Sequence, residues 1–265
     1  MTYEHIQLTH DGDIATLRLN QPDTRNAMSP AMGEEVQDAM AALGAHPTAR
    51  VLIVTGEGKA FSAGGDLGML ARDAGLDGAT KAGMGGPPRE FYKRFLSVRE
   101  LPIPTIAAIN GHAIGAGLCF ALACDMRIAT SNAKLGMTFT KLGIHPGMGA
   151  TYLLPRLIGS ARAAELLFTG RIISADDALG LGIVNRVVAH EAFPAAVQAL
   201  ADEVAAAGPV AVKLVKRALY RGLEHSLDDA LDLESMQQAA TFKTDDAREG
   251  IRAVMEKREP RFRGR

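Results

Sequence analysis

Three short apolar runs, Arg50 to Thr55 (RVLIVT), Pro104 to Ile109 (PTIAAI) and Met126 to Ala129, alternate with segments of helical pattern. This alternation restricts the fold more than any other feature of the chain. Runs this short, closed by Gly56 or by Asn110-Gly111, do not make helices; they read as strands buried on both faces. Buried strands separated by helices imply an α/β layering with a mainly parallel sheet. Ahead of them, His5 to His10 and Asp13 to Leu19 alternate apolar and polar residues about Asp11-Gly12, the pattern of a hairpin. Ser29-Pro30 offers an N-cap and a proline at the first helical position, for a helix reaching about Gly44. Helices are also expected at Phe91 to Arg99 and Gly115 to Ala123.

From about Ala150 the pattern becomes almost wholly helical. Expected helices cover Ala150 to Ile158, Ala161 to Phe168, Ala175 to Leu179, Glu191 to Ala206, Val210 to Arg221, Ser226 to Ala240 and Asp245 to Glu256. Ser174 and Ser226 stand where N-caps belong. The expected organisation is a core over 1–195 and a helical region over 196–265. Met69 to Pro88, rich in glycine and without period, reads as a surface loop.

Composition removes several classes of function. The 29 basic and 30 acidic residues leave a formal net charge of −1, so no global field favours nucleic acid or an anionic membrane. The two cysteines, Cys119 and Cys124, form no disulfide framework and lack the second ligand pair of a zinc site, so no metal is expected. No apolar run reaches the ~18 residues of a membrane span. The N-terminus lacks the basic-then-apolar pattern of a secretory signal, and a cytoplasmic protein is expected.

Most catalytic motifs fail. There is no phosphate-binding P-loop, no H-E-x-x-H and no EF-hand loop. Gly115-Ala116-Gly117 opens a helix after a strand, but the third glycine of a dinucleotide fingerprint falls on Phe120. Ser62 sits in a degenerate G-x-S-x-G, several residues past its strand rather than on a strand-to-helix elbow, which argues against a nucleophile. Two glycine-rich turns remain, Ala60 to Leu67 (AFSAGGDL) and Asn110 to Gly117 (NGHAIGAG), each after a buried strand. Small residues there let a ligand approach backbone amides, and a helix N-terminus adds its positive end. Two amides converging on one carbonyl oxygen would make an oxyanion hole. Each turn could equally be a tight turn and nothing more, and the sequence alone does not bring the two together.

These residues resemble the crotonase, or enoyl-CoA hydratase/isomerase, superfamily along nearly the whole chain. Asn26-Ala27-Met28 resembles the family's N-A-L/M, and Ala60 to Leu67 its A-F-x-A-G-x-D. Asn110 to Asp125 resembles N-G-x-A-x-G-x-G with the closing C-D, and Leu142 to Gly149 resembles L-G-x-x-P-x-x-G. Thr169 to Asn185 and the tail Phe242 to Phe262 complete six motifs in family order. The resemblance implies an α/β fold, a crotonase-like ββα spiral core followed by a helical C-terminal trimerisation region, and hence a homotrimer or a dimer of trimers. It implies an acyl-CoA thioester as ligand, with coenzyme A part of the substrate and no separate cofactor. By motif position, the amides of Gly65 and Ala116 would form the oxyanion hole. Lys59, Ala60, Ser62 and Ala63 would pass the adenine, and Arg25 and Lys243 would meet the CoA phosphates. Asp66 would fix its turn or touch substrate.

The sequence departs from the family where hydration chemistry resides. The hydratases carry two glutamates, at positions that here read Cys119 and Phe139, and the only acid between Glu100 and Glu165 is Asp125, at the family's C-D position. Hydration needs groups that exchange protons with water. Four other polar residues stand in for them as candidates. Cys119, near a helix N-terminus, is either a low-pKa thiol or a small buried hydrophobe. Thr138 and Thr140 either bind substrate or simply belong to a strand. His145 either transfers protons or makes a structural hydrogen bond. Phe139, Leu118, Met137 and Phe120 would supply an apolar acyl pocket, covered by Tyr92 and the Met69 to Pro88 loop. Two functions follow: an acyl-CoA enzyme of the hydratase/isomerase kind whose hydratase activity is in doubt, or a non-catalytic acyl-CoA binding or carrier protein.

Overall fold

The computed structural model describes residues 3–76 and 88–265. A hairpin opens the chain, β1 (Ile6–Asp11) pairing antiparallel with β2 (Ile14–Leu19). Strands β3 (Val51–Gly56), β5 (Thr105–Ile109), β7 (Met126–Thr130) and β10 (Arg186–Val188) then add in parallel. The resulting six-stranded sheet has the order β1-β2-β3-β5-β7-β10. The apolar runs of the sequence are its centre, and every residue of β3 and β5 is buried.

A second sheet uses strands too short to show any period. Its members β4 (Ala60–Ser62), β6 (His112–Ile114), β8 (Lys134–Gly136) and β9 (Ile172–Ser174) have three residues each and run in the order β4-β6-β8-β9. The chain alternates between the sheets. β3, β5 and β7 lie in the large sheet, and the strand after each lies in the small one. A helix follows two of these pairs directly: α2 (Leu67–Asp73) after β4 and α4 (Ala116–Ala123) after β6. The arrangement is a ββα unit repeated in space without a repeat in sequence.

Helix α1 (Pro30–Gly44) begins as expected, with the Ser29 hydroxyl accepting from the Met32 amide at 3.2 Å. Helix α3 (Arg89–Leu96) is shorter than the expected Phe91 to Arg99, because Ser97–Glu100 tightens into a 3₁₀ turn. Helix α4 lies at the centre with all eight residues buried, and Phe120 on it packs edge-on against Phe95 with ring centroids 5.7 Å apart. The expected loop from Met69 to Pro88 is corrected at its start. Asp66 caps α2 there, its Oδ1 accepting from the Met69 amide at 2.8 Å. Residues 77–87 of that loop lie outside the described residues.

The helical third follows the expected order: α5 (Ala150–Ile158), α6 (Ser160–Thr169), α7 (Ala175–Leu181), α8 (Phe193–Ala205), α9 (Pro209–Gly222), α10 (Leu227–Thr241) and α11 (Asp245–Glu256). Ser174 and Ser226 each close a capping box with an aspartate three residues on. The expected division after residue 195 falls inside α8. That helix packs Phe193, Val197, Leu200 and Ala201 against Val51, Ile53, Ile106 and Ile128 of the large sheet, so it belongs to the core.

Candidate active site

Parallel pairing of β4 with β6 brings the two glycine-rich turns together. Ala60 lies opposite His112 and Ser62 opposite Ala113, so both strands run the same way and their turns leave the sheet side by side. Contact between them is at backbone distance. A β-carbon on Gly64, whose φ is +98°, would fall 2.8 Å from the Ile114 carbonyl oxygen and 3.6 Å from the Ala116 amide nitrogen. Only glycine fits there.

The segment Asn26–Met28 braces the first turn. The Met28 amide donates to the Gly64 carbonyl at 2.7 Å, and the Asp66 amide donates to the Met28 carbonyl at 3.1 Å. Asn26 is fully buried with φ +56°, and its Nδ2 donates to the Glu57 and Ala60 carbonyls, each at 2.9 Å. Sequence reasoning gave Asn26 no role beyond a motif. The signal was an asparagine, which tolerates a left-handed backbone better than most residues.

Among the described residues, neither the Gly65 nor the Ala116 amide donates to a protein acceptor. Ala116 is the first residue of α4, where the helix leaves its amides free and its dipole is positive. Both residues line one cavity of about 140 Å³. Ala63, Thr138, Phe139 and His145 line it as well, as does Tyr92. Further apolar lining comes from Leu67, Leu70, Phe91, Leu142, Ile144 and Met148, which the sequence reading did not place.

Several expected site residues lie elsewhere. Cys119 is buried in the core, its Sγ donating to the Gly147 carbonyl at 3.5 Å. Burial pushes its thiol up to about 12. Desolvation outweighs the helix N-terminus, and the low-pKa thiol is replaced by a neutral one. Leu118, 2% exposed, is also a core residue, and so are Met137 and Phe120. Ser62 is fully buried; its hydroxyl donates to the Asn26 carbonyl at 2.7 Å and accepts from the Gly64 amide at 3.2 Å. It locks the turn, and only the backbone of that residue is left to meet a ligand. The Thr140 hydroxyl donates to the Leu167 carbonyl at 3.0 Å and is committed to α6. Asp66 is spent as the cap of α2.

The expected CoA contacts divide. Arg25 has an exposed side chain, and its carbonyl accepts from the Ala63 amide at 2.9 Å, which fixes it beside the cavity-lining turn. Lys59 is exposed and Ala60 buried on the same strand edge. Lys243 is exposed between α10 and α11 and does not line the cavity. His145 is an exposed rim residue whose Nδ1 lies 2.7 Å from the Pro146 carbonyl. No acidic side chain is among the described residues lining the cavity. Asp125 is engaged elsewhere, 2.8 Å from the Lys216 ammonium and accepting from the Tyr220 hydroxyl at 2.6 Å.

The model of the enoyl-CoA hydratase/isomerase family matches residues 9–265. The chain belongs to that family. Among curated members it is 37% identical over 263 residues to a crotonyl-CoA hydratase of Syntrophomonas wolfei, covering 99% of each chain. It is 35% identical to a short-chain-enoyl-CoA hydratase of Clostridium acetobutylicum, covering 97% of each. The crystal structure of an enoyl-CoA hydratase from Bacillus anthracis superposes with a TM-score of 0.90 at 36% identity, covering 99% of this chain and all of that one. The mixed α/β fold with its helical C-terminal region is therefore the crotonase fold. In this family member, Cys119 is a core thiol and Phe139 a cavity-lining phenyl ring.

Proposed function

We propose that this protein binds a short acyl-CoA thioester and stabilises negative charge on its carbonyl oxygen with the amides of Gly65 and Ala116. One observation carries the reading: two turns, each leaving an amide without a protein acceptor, share one cavity at the positive end of a buried helix. Such donors are preorganised, and a low-dielectric site makes them worth more than in water. Thr138, Phe139 and the apolar side chains would hold the acyl group. Arg25, Lys59 and Ala63 would guide the CoA portion, with Lys243 of this or another copy at the phosphates. Coenzyme A enters with the substrate, and the reading needs no other cofactor.

The names of the relatives point to crotonyl-CoA as first substrate to try. The cavity argues against efficient hydration, because no carboxylate among the described residues lines it to activate water. Steady-state assay with crotonyl-CoA, paired with calorimetric titration of butyryl-CoA, tests both halves. Binding with hydration far below that of an ordinary hydratase is the expected result. Absence of acyl-CoA binding would end the whole reading. Binding without turnover of any thioester would favour a non-catalytic acyl-CoA binding protein, which the same lack of carboxylates also supports.

Exposed apolar side chains on the last helices, including Val215, Leu219, Leu231, Met236, Val254 and Met255, support self-association as a homotrimer or a dimer of trimers. Sedimentation equilibrium returning a monomer would discard that assembly.

A further inference from the structure

The tail after α11 concentrates charge that the chain as a whole does not carry. Residues 257–265 hold five basic residues and one acid, in a chain of net charge −1. The tail and α11 enclose a surface cavity of about 690 Å³, lined by six arginines and four acids. Three of those acids are engaged. Asp246 accepts from the Arg263 and Gly264 amides at 2.6 and 2.7 Å, and Asp245 pairs with the Arg248 guanidinium. Glu249 takes both terminal nitrogens of Arg258 and the Arg261 amide. Among the described residues, the guanidinium groups of Arg252, Arg261 and Arg263 have no hydrogen bond and no carboxylate at ion-pair distance; Glu259 is the one lining acid in the same state. Cations gathered round one cavity repel each other, and an anion between them removes that cost. The arginines are also held in advance. Asp246 and Glu249 fix the tail by its amides, and the Arg50 guanidinium donates to the Phe262 carbonyl at 2.9 Å. The Phe262 ring packs on α11, 3.3 Å from where a β-carbon on Gly250 would lie, while Arg261 and Arg263 on either side of it line the cavity.

We propose that this cavity binds a polyphosphate chain, inorganic or carried by a nucleotide, through Arg252, Arg261 and Arg263. The site is separate from the acyl-CoA cavity and does not rest on that reading. The two cavities share no lining residue. Arg50, which fastens the tail, directly precedes β3, so the tail is held at the end of that strand opposite the Ala60 to Leu67 turn. A guanidinium group meets phosphate with two parallel hydrogen bonds, and three such groups suit a chain of two or three phosphates better than a single one. The volume falls within the ~300–1,000 Å³ of small-molecule sites, which leaves room for a nucleoside beyond the phosphates. Preorganisation of the tail lowers the entropy lost on binding.

Calorimetric titration of the full-length protein with tripolyphosphate and with ATP tests this. Tripolyphosphate should bind once per chain, and more weakly as salt is raised. Arg261→Gln/Arg263→Gln should weaken it at least about tenfold. Arg162→Gln/Arg186→Gln, which removes two charges from α6 and β10, should leave the affinity nearly unchanged, with circular dichroism confirming the fold of both variants. Tighter binding of ATP than of tripolyphosphate would assign the site to a nucleotide, and equal or weaker binding to the inorganic chain. Butyryl-CoA affinity should be the same in the native protein and in Arg261→Gln/Arg263→Gln. Failure of tripolyphosphate to bind would overturn the proposal. So would equal weakening in the two double variants, or a parallel loss of butyryl-CoA affinity in Arg261→Gln/Arg263→Gln, which would return these arginines to the acyl-CoA site.

Discussion

Gly64 rests directly on the Ile114 carbonyl oxygen, which a β-carbon would approach to 2.8 Å. This contact joins the two turns that carry the Gly65 and Ala116 amides. Gly64→Ala combines that overlap with a φ of +98° and should destabilise the protein by about 3 kcal/mol. Thermal unfolding and butyryl-CoA titration would show both the lower midpoint and a weakened affinity. Unchanged values for both would mean the turns need not touch.

Removing one amide separately is feasible because Ala116 is the first residue of α4, a position that tolerates proline. Ala116→Pro deletes the N–H while keeping the helix start. Turnover of whichever thioester the enzyme consumes should fall by about 100- to 1,000-fold. The melting temperature should stay near that of the native protein. Full activity in this variant would take Ala116 out of the oxyanion hole.

The Cys119 and Cys124 thiols both rise from 9.0 to about 12, chiefly through burial. The folded state therefore holds their protons more tightly than the unfolded chain does. Their contribution to stability is complete below pH about 9 and is lost as pH rises towards about 12. Urea midpoints measured from pH 7 to 11 should decline less steeply in Cys119→Ala/Cys124→Ala than in the native protein. At pH 8 a thiol reagent should label neither cysteine until denaturant is added. Rapid labelling of the native protein at Cys119 would restore the reactive-thiol alternative.

Lys216 is buried on α9, 2.8 Å from Asp125 and donating to the Ile103 carbonyl at 2.8 Å. It pins the C-terminal helices to the core. Lys216→Ala leaves the Asp125 carboxylate without its cation and should cost about 3–5 kcal/mol, read from chemical denaturation. Lys216→Met, which keeps the volume, tests whether the charge or the packing dominates. Equal loss in both variants would assign the effect to charge.

Phe139 lines the cavity beside Thr138. Phe139→Ala should widen the pocket and raise the affinity for hexanoyl-CoA relative to butyryl-CoA. An unchanged ratio would show that the phenyl ring does not bound the acyl chain.

The sequence by itself determined what near neighbours can enforce. The continuous apolar runs became the buried strands β3, β5 and β7, and Ser29, Ser174 and Ser226 capped their helices through hydroxyls a few residues from their partners. Ordered motifs also sufficed to place the chain in its family. Tertiary structure alone decided the rest. Strands of three residues such as β4 and β6 have no period to betray them, and their hydrogen bonds come from partners about fifty positions away in the chain. Whether Cys119 is reactive or inert depends on how much water reaches it, and whether Tyr92 faces a cavity depends on what α3 packs against. Burial is a property of assembled surfaces, and no local pattern encodes it.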